Sequence, residues 1–416
     1  PLGPGPGVFF LQGITMKFSK LPPKTDRAKI PRTVWALGFV SLFMDISSEM
    51  IHAVLPLFMA VGLGASATAI GITEGAAESV ALIMKVFSGM ISDRFGHTKA
   101  LVFTGYALGV ISKPFFALSD TVLQVFCCRF ADRIGKGIRG APRDALIATV
   151  TPKDVMGASF GLRQSLDSAG AFIGPAIAAL LMWLTFDNYR LIFWCALIPG
   201  LICLSLIIFE VKAPEPKNAH RTNPISREAM GRLSSAFWML IAAAAVFSLA
   251  RFSNAFIVLR AANVGISAAM VPLVMVLMNA VFAFSSYPFG KAADRIHPIW
   301  LLTLGIVFLF ASQVTLALAS SPVWVLAAVV LWGLHLGATQ GIFSVFIAKL
   351  APEDLRGTAF GLYNLVSGGA LLIAGIGAGA LWDTLGASAS FWAGACFAVI
   401  SLLFMLILSR GPLKDV

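Results

Sequence analysis

The feature that most limits what this chain can fold into is an unbroken series of long apolar runs between residues 33 and 409. A helix that crosses a bilayer needs about 20 mainly apolar residues. Gly, Pro and charge clusters divide the chain into twelve segments of that kind: 33–58, 69–91, 99–118, 122–143, 157–183, 189–211, 236–259, 266–289, 299–319, 323–348, 357–381 and 387–409. Charged residues are 12% of the 416, against about a quarter in soluble domains. The runs are continuously apolar, whereas barrel strands alternate every second residue. The expected fold is an all-α polytopic membrane protein with twelve transmembrane helices.

Lys and Arg outside these spans gather on one side. They lie before residue 33, in the 212–235 connection, beyond 409, and in the loops after spans 2, 4, 8 and 10. The opposite side has Arg190 and, at a helix end, Arg260. The excess of cytoplasmic Lys and Arg in membrane proteins predicts two cytoplasmic termini in a multi-pass protein of a bacterial inner membrane. Topology thus accounts for much of the net charge of +11, and nucleic acid is not expected as a partner. Cys127, Cys128, Cys195, Cys203 and Cys396 all fall inside apolar segments without metal-ligand spacing, so they read as packing residues and no metal is expected. Residues 1–15 read as a tag remnant, with Met16 as a plausible native start.

The chain repeats itself. TPKDVMGASFGL at 151–162 returns as APEDLRGTAFGL at 351–362, and GMISDRFG at 89–96 as GKAADRIH at 290–297. Two unrelated stretches with nearly one offset predict a duplicated six-helix unit. The two pseudo-symmetric bundles would be 33–211 and 236–409, joined by a cytoplasmic linker at 212–235 and flanked by cytoplasmic segments 16–32 and 410–416. Parallel repeats of this kind suit a secondary transporter with its site between the halves.

On these residues the chain resembles the major facilitator superfamily over 33–410. Gly89, Asp93, Arg94, Gly96 and Lys99 are similar to the family's Gly-x-x-x-Asp-Arg-x-Gly-Arg-Arg/Lys signature. Gly290, Asp294 and Arg295 form its second copy, while His97 and Thr98 depart from it. The resemblance implies that Asp93 secures the cytoplasmic side when the protein opens outward. Arg139 and Arg143 are its expected partners, with the start of span 11 near Gly357 favouring the anion through the helix dipole. Gly161, Gly170, Gly174 and Pro175 resemble the span 5 motif of proton-coupled drug antiporters, with Ala178 and Ala179 where glycines are usual. Such residues would allow close approach and a bend at a rocking interface. DISSEMI in span 1 and DRIGKGIRGAPRDALIA in span 4 resemble a bacterial subgroup of loosely named efflux members.

Ionisable residues nonetheless punctuate the apolar runs of the first half. Asp45, Glu49 and His52 share one face of span 1 at the helical repeat. An Asp at a helix centre costs about 2.5–3.5 kcal/mol to insert, so it is expected to face the bundle interior or water and to find a partner. Glu74, Glu78 and Lys85 on span 2, Lys113 on span 3, the Arg129, Asp132, Arg133, Lys136, Arg139, Arg143 sector of span 4, and Arg163 and Asp167 on span 5 supply those partners. Glu74, Lys85, Lys113 and Arg129 read best as structural pairs. Asp45, Glu49, His52, Glu78 and Asp167 are the candidate proton-coupling residues. Asp132, Arg133, Lys136 and Arg163 join Arg251, Asn254, Asn279, His335 and Gln340 of the second half as candidate substrate-pathway residues. That half has no acid within its spans, so any proton carried by a carboxylate belongs to the first.

The expected function is proton-coupled export of a small organic molecule by antiport, through alternating access. The rival reading is an importer or symporter of an organic anion, such as a carboxylate metabolite, a phosphorylated compound or a siderophore. A lipid scramblase is a remote third. No nucleophile–base pair, HExxH or phosphate loop is present, so no enzyme and no cofactor are expected beyond protons as the coupling ion. The expected partners are the small-molecule substrate and the bilayer, with the protein as a monomer.

Overall fold

The computed structural model describes residues 29–95, 98–212, 230–293, 296–339, 341–352 and 355–410. These form helices and connecting turns, with no strand among them. Span 1 runs Arg32–Gly62, span 3 Thr98–Ala117, span 5 Met156–Leu184 and span 6 Tyr189–Phe209. In the second half, span 7 runs Ser235–Asn263, span 8 Pro272–Ala293, span 9 Pro298–Leu318, span 10 Pro322–Leu350, span 11 Arg356–Leu385 and span 12 Ala387–Arg410. These ten are long and apolar enough to cross a membrane. Span 2 (Ala67–Phe95) and span 4 (Val122–Val150) are equally long helices, and they carry most of the first half's intramembrane charge.

Three spans expected to be continuous are broken, each for a local reason. Pro56 lacks an N–H and crowds the carbonyl four residues earlier, so the helix that starts span 1 ends at His52 and resumes as Leu55–Leu57 and a π-helical turn, Phe58–Gly62. Span 7 opens at Arg251–Asn254 between Ser235–Ala250 and Ala255–Asn263. The Gln313 amide donates to the Ala250 carbonyl there at 2.8 Å, satisfying a backbone acceptor that the broken helix releases. Span 10 is interrupted at Gly341, whose φ of 75° is the left-handed region that glycine enters without a Cβ penalty. Span 8 begins six residues later than expected, at Pro272, where a proline's missing N–H costs nothing.

Spans 1–6 pack mainly among themselves, as do spans 7–12. The halves meet along two seams, span 2 against span 11 and span 5 against span 8, with a third contact between the broken ends of spans 1 and 7. We call the end of the molecule that holds Arg32 and Arg410 proximal and the other distal.

The seams are tightest distally. A Cβ on Gly71 would stand 2.1 Å from the Gly375 carbonyl oxygen, and one on Gly379 would stand 2.5 Å from the Ala67 oxygen. Leu55 and Phe58 of span 1, and Phe256 and Ile257 of span 7, are buried at this end. Proximally the halves part: Gly157, Gly161, Gly290 and Gly357, on spans 5, 8 and 11, meet no atom within 4 Å of an added Cβ. Large apolar side chains such as Phe115, Trp183, Phe209, Phe284 and Val323 stay exposed around the bundle, as a lipid-facing surface requires.

Candidate functional site

The helix breaks frame a cavity of about 410 Å³ between the halves. From the first half it is lined by Glu49, His52, Glu74, Glu78, Arg129, Arg133 and Lys136. From the second it is lined by Phe247, Ser248, Phe252, Ser253, Met275, Met278, Tyr363, Ser367 and the three polar residues Arg251, Asn254 and Asn279. Irregular backbone at membrane depth is tolerated where it lines such a space, and the span 7 break, 251–254, does so. The volume falls within the range of about 300–1,000 Å³ usual for small-molecule sites.

The charges are arranged from dry to wet. Arg129 donates from Nε to Glu74 Oε1 at 2.9 Å and from Nη2 to Oε2 at 2.7 Å, a two-point grip between buried side chains. Behind it, Lys113 pairs with Asp132 at 3.0 Å and donates to the Ser48 hydroxyl at 3.2 Å, with both charged side chains almost fully buried. Arg133 is as buried as Arg129, but its partners stand nearer the open cavity. It sits against the His52 ring and 3.4 Å from Glu78, whose side chain is 39% exposed. His52 in turn lies 3.4 Å from Glu49. Among the described residues Lys136 and Arg251 make no ion pair or hydrogen bond. Lys136 has Glu78, Asp45 and Glu49 as its acidic neighbours, and Arg251 has Glu78 and the Tyr363 hydroxyl nearby.

A second acidic group lies on the contact between spans 1 and 5. Asp45 and Asp167 are within hydrogen-bonding reach of each other. Asp167 is 3.6 Å from Arg163 and 4.0 Å from Arg143. Spans 1 and 5 approach this closely because Gly170 and Gly174 face Asp45 and Glu49: added Cβ atoms would stand 2.9 Å from the Cβ of each acid.

The predicted residues therefore divide. Glu49, His52, Glu78, Arg133, Lys136, Arg251, Asn254 and Asn279 share the cavity wall, and Asn279 also donates to the Ala171 carbonyl across the span 5–span 8 seam at 2.7 Å. Asp45, Asp167 and Arg163 form the adjoining cluster, and Asp132 is sealed in its pair with Lys113.

Three expectations are corrected. His335 is fully buried, its Nδ1 2.8 Å from the Gly305 carbonyl and its ring against Phe247 and Trp332, so it packs span 10 on span 9 away from the cavity. Arg139 lies over the Tyr106 ring at 4.7 Å and Arg143 donates to the Ser41 hydroxyl at 3.1 Å; their expected partner, the Asp93 side chain, lies outside the described residues. Lys85 is exposed and takes no part in the described ion pairs. Gly170 and Gly174 bring spans 1 and 5 together within one half, while Gly161 touches nothing; the close approach between halves belongs to Gly71, Gly375 and Gly379. Lys99 reaches the Ile208 carbonyl at 3.4 Å. The side chains of Asp93 and Arg94 lie outside the described residues, as do Gly96, Asp294, Arg295 and Gln340.

Tyr363 and Ser367 were not among the expected site residues, although both line the cavity. They occupy the positions that match Arg163 and Asp167 at the repeat offset of 200, and that correspondence was the signal available for finding them.

Two six-helix halves around a central polar cavity, in a chain too apolar for water, define a membrane transporter. The Major Facilitator Superfamily model matches residues 37–375 and 240–415, and the chain belongs to that family. It is similar to the uncharacterised MFS-type transporter MJ1317 of Methanocaldococcus jannaschii, with 31% identity over 92% of this chain and 96% of that relative. A shorter likeness, 29% identity over 38% of this chain and 36% of the relative, joins it to the multidrug resistance protein MdtH of Photorhabdus laumondii. Among solved structures, a POT family transporter in complex with 5-aminolevulinic acid superimposes with a TM-score of 0.76 at 15% identity, covering 91% of this chain and 96% of the other.

Proposed function

We propose that this protein exports a small organic molecule in exchange for protons, by alternating access of the central cavity. The observation that carries the reading is the acid–base layer on the cavity wall, where Glu49 and Glu78 stand beside His52, Arg133 and Lys136. A buried carboxylate whose neighbours are basic changes proton affinity when those neighbours or the local water change. Opening to one side or the other therefore alters whether it holds a proton. The neighbouring Asp45 and Asp167, with Arg163 3.6 Å from Asp167, add a second acid–base group beside the cavity that supports the same coupling. Export is supported by the partial likeness to a multidrug resistance protein. Protons are the coupling ion, and no further cofactor enters the cycle.

The lysines and arginines of the proximal loops support a cytoplasmic setting for that end, in a bacterial inner membrane. The conformation described is then open inward and shut outward, with the cavity accessible to a cytoplasmic substrate.

A second reading is favoured by Lys136 and Arg251, the cavity cations without a described ion pair. An organic anion could bridge them across the halves, Arg251 gripping carboxylate or phosphate through its planar fork. Protonation of the neighbouring acids would strengthen that binding, so anion and proton would move together as symport. Vesicles under an imposed pH gradient test both readings. Accumulation by inside-out vesicles only when they are acidic within supports export by exchange. Accumulation driven by entry of protons with the solute overturns it in favour of symport.

A further inference from the structure

We propose that Asp383 is a latch that holds the distal end of the molecule shut. It lies in the last turn of span 11, which runs past its expected end at 381 and so takes in an acid of the second half, and its carboxylate reaches the first turn of span 2 in the first half. Oδ1 accepts from the Ala67 N–H at 2.9 Å and Oδ2 from the Thr68 N–H at 2.8 Å. The Ser66 hydroxyl accepts from the Ala69 N–H at 3.1 Å.

A helix start leaves its first amides without partners. Here one is satisfied within the chain's own turn and the other two by a carboxylate borrowed from the opposite half. The charge also sits at the positive end of the span 2 dipole, where an anion is favoured.

The contact falls at the distal end of the stretch, Gly71–Gly375 to Ala67–Gly379, where the halves are closest. Gly379, one turn before Asp383, would place a Cβ 2.5 Å from the Ala67 oxygen and the Thr68 Cα, so only its lack of a side chain lets the two backbones meet. Distance along the seam then relaxes: the nearest atom to a Cβ on Gly368 is 3.2 Å away, and on Gly361 it is 3.3 Å away. Opening the distal end must separate spans 2 and 11 and strip both amides from Asp383 at once.

The span 5–span 8 seam has no counterpart. At the repeat offset of 200 the position of Asp383 is held by Trp183, which is 68% exposed. The latch therefore belongs to one seam, and its removal biases the whole molecule toward distal opening.

The inference rests on alternating access, but its test needs neither substrate nor proton gradient, so a failed latch and a failed coupling assignment are distinguishable. Spin labels would be placed at Phe186 and Ser320, exposed residues in distal loops of opposite halves, after replacement of the five native cysteines. Distances between them would be measured by pulsed electron resonance on the full chain in liposomes.

Loss of two hydrogen bonds to a charged group is expected to raise the ratio of distally open to distally shut molecules about tenfold in Asp383→Ala. Asp383→Asn, which keeps the shape and one acceptor, is expected to fall between it and the parent. If Asp383→Ala fails to fold, Asp383→Asn decides. An unchanged distance distribution in the folded variants, or a shift toward shorter distances, overturns the latch.

Discussion

Arg129 and Glu74 grip each other through two hydrogen bonds, of 2.9 and 2.7 Å, between side chains that solvent hardly reaches. The neighbouring pair, Arg133 and Glu78, is 3.4 Å apart with the acid 39% exposed. Two ion pairs one turn apart on the same two helices thus have different physical work. The dry one fixes span 2 on span 4, and the wet one faces the space through which a solute passes.

Removing one partner of a buried pair leaves a charge without compensation, at a cost of about 3–5 kcal/mol. Glu74→Gln, which breaks the two-point bond between two buried side chains, is therefore expected to lower the melting temperature of the purified protein markedly, and Glu78→Gln, which removes a 39% exposed partner, to lower it less while impairing transport. Thermal unfolding of the two variants side by side, with vesicle uptake on the same preparations, checks the division. Equal melting temperatures would place both pairs in one class.

Glu49→Gln and Asp45→Asn are each expected to keep the fold. At least one is expected to abolish pH-driven transport while sparing exchange of substrate between the two sides, because exchange needs the cavity but not the proton. Full gradient-driven activity in both variants would show that the coupling site lies elsewhere.

Gly71 and Gly375 permit backbone contact between the halves, and a Cβ at Gly71 would collide with a carbonyl oxygen at 2.1 Å. Gly71→Ala is expected to push the distal ends of spans 2 and 11 apart and so lower the share of molecules shut at that end. Distal cysteine cross-linking between spans 2 and 11 reads this directly, and an unaltered cross-linking rate would contradict the packing described.

Asp93→Asn is expected to slow turnover without lowering the amount of folded protein, as the family signature at the end of span 2 implies. Transport rate normalised to protein recovered checks it, and a normal rate would remove Asp93 from the gate.

Much of this was legible in the residues themselves. Continuous apolarity marks the long helices, because a barrel strand would alternate every second residue and a helix satisfies its backbone within itself. The first-half charges on the face of spans 1, 2 and 4 were expected to look inward, and Glu49, His52, Glu78, Arg133 and Lys136 do so.

The misses have physical causes. An average over apolar residues does not register Arg251–Asn254 or Gly341, where the chain remains hydrophobic overall but the backbone turns out of the helix. His335 is polar by composition, yet a single carbonyl 2.8 Å away accounts for it as a packing residue. Gly170 and Gly174 announce a close helix contact without saying with which helix, and the partner was span 1 of their own half.

The account stands on the claim that the exposed charges of spans 2 and 4 line a wet cavity shared by the two halves. Its most direct test is thiol labelling of Glu78→Cys and Lys136→Cys, in a background without native cysteines, using a charged reagent that does not cross membranes. Both positions are expected to react when the reagent is applied to the cytoplasmic face. Failure of both to react there, while a lipid-soluble maleimide labels them readily, would contradict the account.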